Sequence, residues 1–222
     1  MNIKLIILVI LTFILCGSLY AQTKVFSEAK GTSPKTVEVY DYEKWNFSIG
    51  ENNYEIDKSG NGKAVKGNGL RKFRISLDED FFIDRIIYFA EYKNDLLLMG
   101  EVDNTLVGGG FIICIDGKTL KTKWRNDIPS FNIAQGLIEN SSAYLAGVGF
   151  ISKIDLDNGK YIWKHDDLYR KYKESGAFNV FLTPQLKDNL VIFKEDNISS
   201  RGFDHQLHVN KSSGKIIKVI LD

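Results

Sequence analysis

One eleven-residue pattern occurs three times along the chain and constrains what the chain can become. Its fullest form is Lys153-Ile154-Asp155-Leu156-Asp157-Asn158-Gly159-Lys160-Tyr161-Ile162-Trp163. Residues 150–156 alternate, with Phe150, Ser152, Ile154 and Leu156 on one face, as a strand requires. Asp157-Asn158-Gly159 is a tight-turn signal, because Asn and Gly accept the positive φ of a type I′ hairpin. Residues 160–164 are extended again and carry Trp163. The stretch therefore predicts a β-hairpin with an aromatic anchor on its return strand. Asp155 precedes the turn and can accept hydrogen bonds from its amides.

The second copy runs from Cys114 to Trp124, with Asp116 and Trp124 at the same separation and Leu120 in the glycine place. The third runs from His208 to Lys218. It keeps Asn210 for the Asp and Gly214 for the Gly, and has Lys218 where the Trp stood. A polar turn and an apolar strand precede each copy: Lys93-Asn94-Asp95-Leu96-Leu97-Leu98, then Asn140-Ser141-Ser142-Ala143-Tyr144-Leu145, then Lys187-Asp188-Asn189-Leu190-Val191-Ile192. Each unit reads strand, turn, strand, hairpin. Four strands at a period of roughly forty to fifty residues is the spacing of a propeller blade.

On these residues the chain resembles the PQQ-like (quinoprotein-type) β-propellers, whose blade motif is small-x-Asp-x-x-x-Gly-x-x-x-Trp. That group includes quinoprotein dehydrogenases and the outer-membrane assembly propeller lipoproteins. Asp155, Gly159 and Trp163 match the motif. Asp116 and Trp124 match without the Gly, and Asn210 and Gly214 match without the Trp. The resemblance implies that these are structural residues and that the Trp docks between neighbouring blades. It implies no cofactor here. The cofactor-using relatives have more blades, a cysteine pair and calcium-binding carboxylates, whereas the mature chain would keep one cysteine.

Residues 1–22 form a signal peptide: Lys4, a short apolar run over 5–15, and a small residue, Ala21, at the cut. The run falls short of the ~20 residues needed to span a bilayer, so no transmembrane span remains after its removal. Lipidation at Cys16 is the disfavoured alternative, since a lipobox needs a small residue before the Cys and Leu15 is not small. The chain has 29 basic and 28 acidic residues. Loss of Lys4 leaves them equal, a balance that gives no general attraction to nucleic acid. Cys114 is then alone in an apolar strand and cannot form an internal disulfide.

Residues 23–35 read as a linker and 36–222 as one all-β domain. Within it, 36–80 shows strands at Val37-Glu38-Val39-Tyr40, Trp45-Asn46-Phe47-Ser48-Ile49, Asn53-Tyr54-Glu55-Ile56 and Leu70-Arg71-Lys72-Phe73-Arg74-Ile75, but no blade motif. This reads as a degenerate first blade. Counting it gives a propeller-like repeat of about four blades; not counting it gives three blades in an open, curved stack whose edges a partner or another copy would cover. Residues 170–174 are a charged insertion with one helical turn. Elsewhere the mature chain predicts almost no helix.

No catalytic or metal centre emerges. His205 and His208, three apart on a strand, face opposite ways and cannot share a metal; His165 is the third histidine. Asp155, Asp157 and Asp166 faintly resemble a calcium loop, but the glycine is one place early and the turn explains the same residues. Lys63, Lys66, Arg71, Lys72 and Arg74 make the most basic segment, with charges divided between two strand faces. Gly108-Gly109-Gly110 predicts a tight hairpin or bulge, or room for a ligand. Tyr169 and Tyr172 in the charged insertion are the candidate partner contacts, because loops carry function on such scaffolds.

The favoured expectation is a secreted or periplasmic, non-catalytic binding protein holding a protein or peptide partner. A homo-oligomer is expected if the ring is open. The alternative is a carbohydrate- or small-molecule-handling enzyme using Asp84, Asp95, Asp103, Asp188 and Asp204 at one mouth of the propeller. Convergence of those acids would favour the enzyme; an apolar, aromatic mouth would favour the partner.

Overall fold

The structure is a computed structural model that describes residues 24–25, 44–104, 107–196, 200 and 202–221. The expected signal peptide with Cys16, the strand at Val37-Glu38-Val39-Tyr40 and most of the expected linker lie outside these residues.

Alternating patterns in the sequence become four antiparallel sheets, each a meander of consecutive strands. The first holds β2 (Lys44–Ile49), β3 (Asn52–Asp57), β4 (Asn61–Lys66) and β5 (Gly69–Arg74). The second holds β6 (Phe82–Tyr92), β7 (Asp95–Asp103), β8 (Gly108–Ile115) and β9 (Thr122–Ile128). The third holds β10 (Leu137–Glu139), β11 (Ser142–Gly147), β12 (Phe150–Asp155) and β13 (Tyr161–His165). The fourth holds β14 (Gln185–Lys187), β15 (Leu190–Lys194), β16 (His205–Asn210) and β17 (Ile216–Leu221). A short strand, β1 (Lys24–Val25), adds to β10 as a fifth member of the third sheet. The only α-helix among the described residues is the single turn α1 (Leu168–Lys171) in the charged insertion. No described helix is long and apolar enough to cross a membrane.

Burial tracks position in the stack. The first sheet alternates: Trp45, Phe47, Tyr54, Ile56 and Phe73 face inward, while Lys44, Asn46, Lys63, Lys72 and Arg74 face solvent. In the second and third sheets β7, β8 and β11 are buried almost continuously, because both faces are covered. Each core is shared by adjacent sheets. One joins the first sheet to the second, with Phe89 4.7 Å from Phe47 and 5.1 Å from Tyr54. The next joins the second to the third, and the last the third to the fourth. Among the described residues no core cluster joins the fourth sheet to the first, so the fold is an open partial propeller of four blades. The outer face of the first sheet presents Lys44, Lys63, Lys72 and Arg74, and that of the fourth presents Lys187, Lys194 and Lys218.

The repeated hairpin is one device built three times. Asp155 Oδ1 accepts the Asp157 amide at 2.8 Å and Oδ2 the Asn158 side chain at 2.7 Å. Asp116 Oδ1 accepts the Lys118 and Thr119 amides, and Asn210 Oδ1 those of Ser212 and Ser213. In each copy the residue four places on donates its N–H back to the Asp or Asn carbonyl and has positive φ: Leu120 58°, Gly159 74°, Gly214 71°. The turn is therefore a four-residue loop with one left-handed residue at its end, not the type I′ hairpin expected. The carboxylate or amide draws in the backbone amide two places on and a donor three places on, and lengthens the loop. Lys93–Asn94, between β6 and β7, is where two successive residues have positive φ.

The left-handed residue marks where the previous blade lands. A Cβ on Gly159 would lie 2.5 Å from the Trp124 ring, and one on Gly214 2.6 Å from Trp163. The indole N–H groups reach across as well: Trp124 Nε1 donates to Leu156 O at 3.2 Å, and Trp163 Nε1 to Lys211 O at 3.0 Å. In the first blade Arg71 takes the Trp role, its guanidinium donating to Lys118 O in the second. No Trp packs on the Leu120 turn, and there a bulky residue holds the left-handed conformation. Its strain costs about 1 kcal/mol, while burial of the Leu side chain returns about 1.5–3 kcal/mol, so the side chain wins.

Glu139 secures the same seam between the third and fourth blades. Its carboxylate takes Lys211 Nζ at 2.8 Å and the Tyr144 hydroxyl at 2.9 Å. Burial alone would raise its pKa, but the Lys211 and Tyr144 hydrogen bonds overcome that and hold it below 4.5. A depressed carboxylate stabilises the fold above its unfolded pKa, and the contribution is lost as pH falls through the folded value.

Gly214→Ala is expected to lower the unfolding free energy by more than Gly50→Ala. Both glycines have positive φ, but a Cβ on Gly50 meets nothing within 4 Å. The left-handed penalty of about 1 kcal/mol is common to both, and the excess in urea titrations reports the Trp163 contact. Glu139→Gln is expected to lower the melting temperature at pH 7 and to lose that difference from wild type as pH falls through the depressed folded pKa of Glu139, as a melting series in pH will show.

Candidate functional site

Strand order gives each blade two different ends. The turns joining first to second and third to fourth strands lie at one end. The turns joining second to third strands, and the links to the next blade, lie at the other. Cross-blade bonds hold the first kind together: Lys93 Nζ reaches Asp157 Oδ1 at 2.6 Å and Ser141 Oγ at 3.1 Å, and Lys153 Nζ reaches Lys211 O at 3.2 Å. Every copy of the repeated motif sits at this turn end, where its side chains are committed to structure.

The loop end differs. Ten large apolar side chains are exposed among the described residues, and five of them are in its loops. These are Val107, Phe131, Tyr169, Leu182 and Phe203, and their exposure runs from 43% at Leu182 to 62% at Val107. They come from the second, third and fourth blades and from the links between them.

Two buried glutamates fix the loops beneath. Glu101, near the end of β7, accepts the Ile133 amide at 2.6 Å and the Nε and Nη2 edge of the Arg85 guanidinium at 2.8 and 2.9 Å. Glu195, just past β15 and fully buried, accepts the amides of Phe178 and Asn179 at 2.8 Å each. His205 Nδ1 lies 2.6 Å from its Oε2, and Phe203 stacks on the His205 ring at 5.8 Å. Both glutamates thus hold the link between blades in place. The sequence reading missed them. The signal was available: Glu101 lies six residues after Asp95, and Glu195 six after Asn189.

The candidate partner contacts separate. Tyr169 on α1 is about half exposed, while Tyr172 is partly buried with its ring edge-on to Phe178 at 5.1 Å. The five candidate acids also separate: Asp84, Asp103 and Asp204 lie toward the loop end, Asp95 and Asp188 at the turn end. Asp95 is paired with Lys123 at 2.7 Å and Asp204 with Lys194 at 3.1 Å. They form no single cluster.

Asp155 and Asp157 are engaged in the turn and with Lys93, and Asp166 with Lys164 at 2.6 Å, so these residues serve the hairpin and its surroundings. His165 Nε2 lies 2.7 Å from Gly214 O. His208 pairs with Lys218 across the fourth sheet, and its pKa is lowered by burial and by Lys218 and Lys187. Cys114 is buried in β8, its thiol pushed up to about 11 chiefly by burial, with Asp95 adding to the effect; it is an inert core residue. Among the described residues no three of His, Cys, Asp and Glu are grouped to hold a metal ion.

At the second blade the loop end opens into a cleft of about 180 Å³. It is lined by Leu77, Phe81, Val102, Val107 and the backbone of Gly108, Gly109 and Gly110, with Asp78, Arg125 and Asp127 beside them. The three glycines form neither the tight hairpin nor the bulge expected. They begin β8 in unbroken register with β7, from Asp103↔Gly108 to Glu101↔Gly110.

No family model and no curated protein matches the chain. Several solved structures do. BamB from Moraxella catarrhalis is similar at 14% identity and a TM-score of 0.47, over 77% of this chain and 49% of that one. A europium-containing methanol dehydrogenase is similar at 11% identity and 0.46, over 92% and 45%. Apo AztD from Citrobacter koseri is similar at 12% and 0.44, over 78% and 45%. The chain thus spans about half the length of these proteins or less. All three likenesses fall below a TM-score of 0.5, so the fold assignment stands on the strand order and blade contacts themselves.

Glu195→Ala is expected to destabilise the protein by about 3–5 kcal/mol in urea unfolding, because it leaves two amides and His205 buried without their acceptor.

Proposed function

We propose that the protein is a secreted or periplasmic, non-catalytic binding propeller that holds a protein or peptide partner on its loop end. The observation that carries this is the asymmetry between the ends. At the turn end the motif side chains and cross-blade ion pairs are spent on each other. At the loop end five large apolar side chains are presented to solvent, three of them (Phe131, Tyr169 and Leu182) on links pinned by buried glutamates. A soluble fold leaves such side chains out singly without consequence, but a set of them on fixed loops at one end is what an interaction surface needs.

Export follows from the leader over residues 1–22, whose Ala21 supplies the cleavage site. Tyr169 is a contact residue in this reading, and Tyr172 supports the loop from below. The blade motif residues Asp116, Trp124, Asp155, Gly159, Trp163, Asn210 and Gly214 serve the stack and not the partner. The open stack leaves the outer faces of the first and fourth sheets uncovered, and a second copy of the chain would pair there.

The combined replacement Phe131→Ser, Tyr169→Ser, Phe203→Ser is expected to leave circular dichroism unchanged and to abolish retention of the partner in cross-linking from the native host. Lys63→Ser with Lys72→Ser on the outer face of the first sheet should leave it intact. Equal cross-linking by both variants would remove the loop end as the binding surface.

A further inference from the structure

The cleft at the second blade is held open where local physics would close it. Gly110 is glycine for packing, since a Cβ there would meet Ile133 at 2.7 Å. Gly109 has no such reason. Its φ is not positive, and a Cβ on it would find only Ile128 O, at an ordinary 3.5 Å. A glycine inside a strand costs roughly 0.5–1 kcal/mol, and strands favour β-branched residues. Residue 109 lies two places before Phe111, on the same face of β8, the face packed toward the first blade. A side chain at 109 would therefore enter the cleft.

The volume and rim say what such a space accepts. About 180 Å³ is on the scale of the ~150 Å³ cavities that take a benzene-sized guest. Leu77, Phe81, Val102 and Val107 give it an apolar lining. The rim is acidic. Asp78 lines the cleft, and Glu79 and Asp80 follow it in exposed positions. Arg125, the one cation among the lining residues, is engaged internally. It pairs with Asp127 at 2.6 Å, donates to Ser76 O, and lies 5.4 Å from the Phe111 ring centre.

We propose that this cleft anchors one aromatic or large aliphatic side chain of an extended partner segment whose neighbouring residues are Lys or Arg, an assignment that rests on the binding role above. The apolar side chain fills the space over Gly109. The flanking cations meet Asp78, Glu79 and Asp80. The glycine wall lets the partner's backbone come close.

The test titrates N-acetyl-Lys-Trp-Lys-amide into isotope-labelled protein and follows the backbone amide shifts. Saturating shifts at Val107, Gly109 and Asp127 are expected. Gly109→Val should weaken binding roughly thirtyfold, the size of a hot-spot loss, with the melting midpoint unchanged or raised. Gly109→Ala, a smaller plug, should weaken it less. Asp78→Asn with Glu79→Gln should weaken it most at low salt, and the acidic peptide N-acetyl-Glu-Trp-Glu-amide should bind at least about tenfold more weakly. No shift at Gly109, undiminished affinity in both folded Gly109 variants, or equal binding of the acidic peptide overturns the anchor. A partner lost by the Phe131, Tyr169, Phe203 variant but retained by Gly109→Val would also overturn the anchor and leave the binding role standing.

Discussion

The stack depends on an indole that finds its acceptor in the next blade. Trp124 and Trp163 each leave the last strand of their own sheet and land on the turn of the following one. A buried Trp removes on the order of 200 Å² from water, worth up to about 5 kcal/mol, against roughly 1 kcal/mol for its hydrogen bond. Burial therefore supplies the energy, and the bond supplies the direction. Trp163 also lies edge-on to Phe193 of the fourth sheet, with Tyr144 of its own sheet 6.2 Å away. The landing place must be flat and lack a Cβ, which is why a left-handed glycine closes the turn at Gly159 and Gly214.

From this contact the two ends of the molecule acquire different freedoms. Turns that receive a neighbour's indole must keep their shape, and the Asp or Asn before them fixes it. The opposite ends receive no such ring. They need only an anchor for the inter-blade link, which Glu101 and Glu195 provide with carboxylates buried against backbone amides. Everything beyond that anchor can vary in length and side chain, and there the apolar groups and the cleft are found. The division between scaffold and surface follows from which end carries the indole.

The architecture was legible in the sequence because its signals are local. Asp155, Gly159 and Trp163 fall within nine consecutive residues, and so does the equivalent set from Asp116 to Trp124. The first blade was legible only as strands. Its last hairpin turns on Gly67–Asn68 without the Asp, and Arg71 stands in for the Trp. The candidate site was mostly hidden, for a physical reason. Glu195 and His205 are ten residues apart, and the cleft draws on residues from Leu77 to Ile128. No short window shows such groups together. Tyr169 and Tyr172 illustrate the limit: both sit in the charged insertion, yet the fold exposes one and packs the other on Phe178. The three glycines were visible, but whether each served the backbone, the packing or open space required the neighbours of each.

The sharing of every core between adjacent blades has a thermodynamic corollary. The first and fourth sheets contribute no residue to a common core cluster among the described residues, so energetic coupling passes only through the blades between them. Stability is then a chain of nearest-neighbour terms and not a property of one interior. Changes in blades one and four add, while changes in adjacent blades couple. An interior blade, with two shared seams, weighs more in the whole than either terminal one.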